Sequence, residues 1–193
     1  EFFLGTHSLG RVVPPDGTVK NVPEHLSIVP AAVGTQYFKE HPEYFSMNPQ
    51  KVRTAGAQLC FSNPDLCALF EKNCLDYYYS EKARSGVNAL LEVSCNDGQA
   101  GYLCMCDDCQ ALVQKYDCEG APMFLFVRDM AMRYPEIQFR TMAYYRHQAQ
   151  RPPKNFGEWP KNLSLIFAPI DADFAHSWEG SERNRQECED LLN

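Results

Sequence analysis

Five short apolar runs interrupt a largely polar chain: EFFLGTH, AQLCFSN, ALLEVSCND, IQFRTMAYY and LSLIFAPID. Each is brief, rich in apolar or β-compatible residues and bounded by polar or turn-forming residues, which predicts a buried strand. Helical patterns fall between most of them. SNPDLCALFEKNCLDYYYSEKAR opens with Ser62 or Asn63 as cap, Pro64 at the first helical position and Asp65 in the first turn, where a carboxylate meets the positive end of the helix dipole. APMFLFVRDMAMRYP predicts a second long helix that starts near Pro122 and stops by Pro135, because proline disfavours helical backbone in the residue before it. CDDCQALVQKY predicts a shorter one with Asp107 and Asp108 near its positive end. Strands separated by helices need crossover connections, and crossovers imply a parallel sheet covered by helices. The predicted class is therefore α/β, either an open sheet or part of a (β/α)8 barrel, with residues 1–193 as a single domain.

Composition narrows the partners. A chain of 193 residues with 45% hydrophobic and 22% charged content is that of a globular domain, so disorder is not expected. Net charge is −7 and the 18 Lys and Arg are scattered, which argues against nucleic acid. No apolar run approaches the roughly 20 residues of a membrane-spanning helix. The opening EFFLGTH has neither the charged segment nor the cleavage site of a signal peptide, and with no initiator Met the chain reads as an excerpt of a longer protein. Neither Gly-x-Gly-x-x-Gly nor Gly-x-x-x-x-Gly-Lys follows any strand, so a phosphate-cradling loop is not predicted.

In parallel α/β folds, ligands gather where the carboxyl ends of the strands meet the following loops. Those positions hold His7, Ser62 and Asn63, Asn96 and Asp97, Tyr144 and Tyr145, and then Asp171, Asp173 and His176. Taken singly, Asn63 suits a helix cap, His7 a hydrogen-bonded strand terminus and Asp171 a turn. Together they form the polar and carboxylate set of a sugar-handling cleft. Tyr144, Tyr145, Trp159 and Trp178 would add flat faces for pyranose rings, or else cover the core beneath long loops. The Pro-rich RHQAQRPPKNFGEWPKN reads as an extended rim loop.

The chain has nine cysteines, an odd number that excludes complete internal pairing. Cys67 and Cys74, seven apart on the helical face of Phe70, read as core. Cys104, Cys106 and Cys109 have ligand spacing for a structural zinc, with Cys118 or Cys95 as the nearest candidates for a fourth ligand. A disulfide from the triplet to Cys95 or Cys118, and simple packed thiols, fit the spacing equally. No signature joins a cysteine to a base, so a catalytic thiol is not predicted.

Several blocks in order, GTHSLGRVVPP, YFKEHPEYFS, QLCFSNPDL, VSCNDGQAGYLCMCDDC, YPEIQFRTMAYYRHQAQRPPKN and IDADFAH, resemble bacterial proteins of the domain-of-unknown-function 4838 family. The resemblance implies a TIM-type (β/α)8 barrel, of which this chain would be a part. It further implies a glycoside hydrolase-like activity on hexosamine- or uronic acid-containing glycans, without a required catalytic cofactor, inside a larger secreted or periplasmic protein with further domains. In that setting Asp97 resembles the strand-end acid of hexosaminidase-like barrels and becomes the candidate general acid. Asp171 or Asp173 would supply the opposing carboxylate, and Asn96 would orient a substituent. His7, Asn63, Tyr144, Tyr145, His176 and Trp178 would bind the sugar. Where such barrels carry two acids, this chain has Asn96-Asp97, which leaves a non-catalytic carbohydrate-binding domain, or a metal-stabilised interaction scaffold, as alternatives.

Overall fold

A computed structural model of the protein describes residues 11–13, 20–21, 33–55, 58–86, 88, 90–95, 103–144 and 151–192. Its centre is a sheet of β1 (Arg11–Val13), β2 (Lys20–Asn21), β3 (Leu90–Glu92), β4 (Gln138–Ala143) and β5 (Leu163–Phe167), in the order β2-β1-β3-β4-β5. β3, β4 and β5 run parallel, pairing Leu91 with Phe139 and Phe139 with Leu163. β1 pairs antiparallel with both β2 and β3. The chain is thus mixed α/β around a parallel unit of three strands.

Helix α2 (Pro64–Ser85) carries the expected start, with Asn63 as N-cap, and ends on Gly86, whose φ of 70° is the left-handed backbone that glycine tolerates. Its buried residues Leu66, Phe70, Cys74, Tyr77 and Tyr78 recur at helical spacing and face the core. Helix α3 (Asp107–Tyr116) follows β3, and α4 (Ala121–Arg133) leads into β4. α4 is buried along most of its length and stops just before Pro135, as its sequence requires. Past that end, the Asn162 amide donates to the carbonyls of Ala131, Tyr134 and Ile137, satisfying groups a helix terminus leaves open.

The main core joins α2 and α4 to Leu91, Val93, Ile137, Phe139 and Leu163. The next residues along the strands present the opposite face, where Glu92, Ser94, Arg140, Met142 and Tyr144 are all buried. There Arg140 meets Glu92 across the parallel pair, with Nη2 to Oε2 at 2.6 Å and Nε to the same oxygen at 3.1 Å. Two short helices lie outside the predicted set, α1 (Val33–Glu40) and α5 (Glu182–Leu192).

One expectation needs correction. AQLCFSN is not a strand of the sheet: Leu59 forms an isolated antiparallel bridge with Phe45, and the Cys60 amide donates to the Tyr44 carbonyl at 2.9 Å. Its apolar residues are buried against a local ribbon, a setting that hydropathy alone does not separate from a sheet. Of the two readings open for Trp159, covering the core is the one seen: it sits before β5, its indole N–H donates to the Leu163 carbonyl at 2.6 Å and its ring lies tilted against Phe156 at 5.5 Å. EFFLGTH lies outside the described residues.

Candidate functional site

The four sulfurs of Cys60, Cys104, Cys106 and Cys109 all lie within 4.8 Å of one another. Three local structures deliver them. Cys60 ends the ribbon that pairs with residues 44–47 and is fixed at the turn into α2, where the Asn63 amide donates to its carbonyl. Cys104 is held by the neighbouring strand of chain: the Met105 amide donates to the Met47 carbonyl, and the Met47 amide reaches the Cys104 sulfur at 3.3 Å. Cys106 is the N-cap of α3 and Cys109 lies in its first turn, so both sulfurs sit at the positive end of that helix.

Hydrogen-bond donors surround the sulfurs. Arg53 donates to the Phe45 carbonyl and reaches the Cys104 sulfur at 3.8 Å, and the Ser62 hydroxyl is 3.0 Å from Cys109, 3.4 Å from Cys60 and 3.6 Å from Cys106. Lys51 donates to the Met105 carbonyl on the outer side. Hydrogen bonds from the Cys104 and Cys109 thiols, helped by Ser62 and Arg53, hold Cys60 well below the ordinary thiol range. Cys109 is driven up by the same contacts with Cys104 and Cys60. Cys104, lowered by Cys109 but raised by Cys60 and by burial, stands at about 11. The other thiols of the core behave differently: burial, the largest cause, with nearby negative groups adding to it, pushes Cys67, Cys74, Cys95 and Cys118 up to about 12. They are packed, protonated core groups.

Cys118 is therefore not the fourth member of the group. It lies in the main core and donates to the Arg151 carbonyl at 3.0 Å, while Cys95 contacts Met123. The fourth member is Cys60, 46 residues ahead of Cys106 and inside a run that reads as a strand. The cavity beside the group, about 20 Å³ and lined by Leu59, Phe61, Leu103 and Met123, has room for about one water. Four cysteines this close together could hold a metal ion, and the adjoining cavity leaves room for little more than one water.

A second region lies at the carboxyl edge of the parallel strands. Ser94 and Cys95 follow β3, Tyr144 follows β4, and the 168–181 loop follows β5, its Ala168 amide donating to the Ala143 carbonyl. Tyr144 is buried on the face that carries Glu92 and Arg140. Beyond β5, Asp173 accepts from His176 Nδ1 at 2.8 Å and from the Ala175 amide at 3.1 Å. The His176 bond comes first in holding the Asp173 carboxyl below the usual carboxylate range. Asn184, in the first turn of α5, was not apparent from sequence; its buried side chain accepts from the Asp173 amide and donates to the carbonyls of Asp173, His176 and Ser177. That staple fixes the loop and leaves Phe174 and Trp178 exposed.

Asp171, by contrast, makes no hydrogen bond or ion pair among the described residues. Asn63 spends its side-chain oxygen on the Leu66 amide at 2.9 Å, a cap, and stands at α2 rather than at the sheet edge. His7, Asn96, Asp97 and Tyr145 lie outside the described residues. The structure thus brings Asp171, Asp173, His176 and Trp178 into one loop and Tyr144 to the adjacent strand end.

The family model described as domain of unknown function (DUF4838) matches residues 2–193. The chain belongs to that family. The blocks that carry the resemblance include the Cys-x-Cys-x-x-Cys stretch, so three of the four clustered thiols of this DUF4838 chain lie within one of them. No curated protein and no solved structure matches the chain. Among the described residues no helix is long and apolar enough to cross a membrane.

Proposed function

We propose that this DUF4838 chain is part of a glycoside hydrolase-like (β/α)8 barrel that acts on hexosamine- or uronic acid-containing glycans. The observation that carries the reading is the parallel run β3-β4-β5, because consecutive parallel strands present their following loops at one edge, where barrel enzymes work. In the sequence Asp97 comes five residues after Glu92, the last residue of β3, and Asp171 follows β5. The Glu92–Arg140 pair on the face away from α2 and α4 supports the same reading, since that face is both polar and buried, as in a closed sheet with a polar interior.

In this mechanism Asp97 protonates the glycosidic oxygen and Asp171, or the substrate's own 2-acetamido group, stands opposite. Asp173, already bonded to His176 and the backbone, shapes the loop; Tyr145 and the exposed Trp178 bind sugar faces, whereas Tyr144 is buried in the sheet and backs the site. No metal or cofactor takes part in the reaction; zinc at the thiol group would be structural. The parent protein is secreted or periplasmic and carries further domains. One observation favours a second reading, a carbohydrate-binding domain without turnover: Asn96 stands where an acid pair would need a second carboxylate.

The test belongs on the intact parent protein. Asp97→Asn should abolish turnover of unactivated hexosaminides or uronides and spare aryl glycosides whose leaving group needs no proton. Turnover unaffected by the substitution would reject Asp97 as the acid. Native protein that binds but never cleaves these glycans would favour the second reading, and protein that neither binds nor cleaves them would defeat both.

A further inference from the structure

We infer that Cys60, Cys104, Cys106 and Cys109 bind one zinc ion as a closed four-thiolate centre that ties the start of α3 to the turn ahead of α2. Independent of any action on glycans, the inference rests on sulfur geometry. A zinc–sulfur bond of about 2.3 Å puts the sulfurs of a regular tetrahedron about 3.8 Å apart. Cys60 stands 3.6 Å from Cys106 and 3.9 Å from Cys109, and no pair of the four exceeds 4.8 Å. A disulfide needs sulfurs about 2.0 Å apart and would use only two of the four. A cubane iron–sulfur cluster holds its thiolates at separate corners, too far apart for this group.

Charge and donors agree with a four-thiolate ion. Zinc with four thiolates carries a net charge of −2, and the groups aimed at the sulfurs are those that relieve it: the Arg53 guanidinium, the Met47 amide, the Ser62 hydroxyl and the amino end of α3. Soft thiolates in a tetrahedron select zinc over hard cations such as calcium and magnesium. The site is also complete: four protein ligands leave no open position, and the adjoining cavity admits about one water, so the centre is structural rather than catalytic. Its ligands lie on both sides of α2 and β3 in sequence, so one ion closes a loop of more than forty residues.

The experiment is metal analysis of the purified protein with an organic mercurial titration. About one zinc per chain should be found, released in step with modification of four thiols. Cys60→Ser should lose the ion to a chelator that the wild type resists, whereas Cys118→Ala and Cys95→Ala should keep it. Because Cys60→Ser can also fail to fold, cobalt substitution of the wild-type protein gives a separate reading: the absorption of a tetrahedral four-thiolate cobalt site is expected. A three-sulfur cobalt spectrum, iron in place of zinc, four free thiols without metal, or full zinc retention in a folded Cys60→Ser protein would each overturn the assignment.

Discussion

Replacing Glu92 with Gln keeps the shape of the side chain but removes the charge opposite Arg140. In the folded protein Glu92 and Arg140 side chains are 2% and 9% exposed, and two guanidinium N–H groups converge on one carboxylate oxygen. Ser94 donates to the other oxygen at 3.3 Å. A salt bridge of the same 2.6 Å length joins Lys72 to Asp76 on α2, yet those side chains are 69% and 51% exposed. Length being equal, burial decides the magnitude. Breaking a buried pair by removing one partner costs about 3–5 kcal/mol, because the other charge loses its counter-ion without regaining water. An exposed i,i+4 pair contributes about 0.3–0.5 kcal/mol. Glu92→Gln should therefore lower the unfolding free energy by about 3–5 kcal/mol, against a total of about 5–15 kcal/mol for a domain, while Asp76→Asn should change it by less than about 0.5 kcal/mol. Arg140 has a further interaction besides Glu92, so Arg140→Met should cost at least as much as Glu92→Gln. Urea denaturation followed by far-ultraviolet circular dichroism measures all three. If Glu92→Gln cost no more than Asp76→Asn, the face that bears the pair would be open to water, and with it the case for a closed polar interior would fall.

Two further substitutions separate roles that the sequence left open. Asn63→Ala should cost about 1 kcal/mol, the usual loss of an N-cap, and Asn63→Ser should recover most of it; a glycan-affinity loss in a fully stable Asn63→Ser protein would restore a ligand role. The Thr141 hydroxyl is buried on β4 and finds no hydrogen-bond partner among the described residues, so Thr141→Val should stabilise by about 1 kcal/mol or more in the same denaturation assay, and a clear loss would mean the hydroxyl is satisfied.

What could be read along the chain was whatever depends on local chemistry. α2 announces itself through Asn63, Pro64 and the spacing of Leu66, Phe70 and Cys74, and Pro135 marks the end of α4 before any packing is known. β3, β4 and β5 each stand out as short apolar runs. The misreading of AQLCFSN has a physical cause: Leu59 and Cys60 are buried, as in a strand, but by a ribbon and a thiol group instead of a sheet. β1 spans three residues and β2 two, too few to set up an alternation. α5 reads ERNRQECEDLL, with scarcely an apolar face, and is fixed by the buried Asn184 and Glu187. Cys60 was hidden because a ligand brought in from another segment shares no spacing with the triplet it completes. The amides of Asn162 and Asn184 are equally silent, since the carbonyls they satisfy become neighbours only after folding.

The same distinction between local and assembled chemistry ranks the two carboxylates after β5. Asp173 is occupied: His176 and the Ala175 amide bond its oxygens, its backbone is clamped by Asn184, and its pKa is held down by the His176 contact. Both bonds would have to be given up before that carboxylate could face a sugar. Freeing it would also undo the turn that presents Trp178. Asp171 has no such duty among the described residues and lies two positions nearer the strand end, where a reacting group has to be. If the edge of this sheet works on a sugar, the structure of the loop therefore gives Asp173 the task of holding it in shape and leaves Asp171 free to face the substrate.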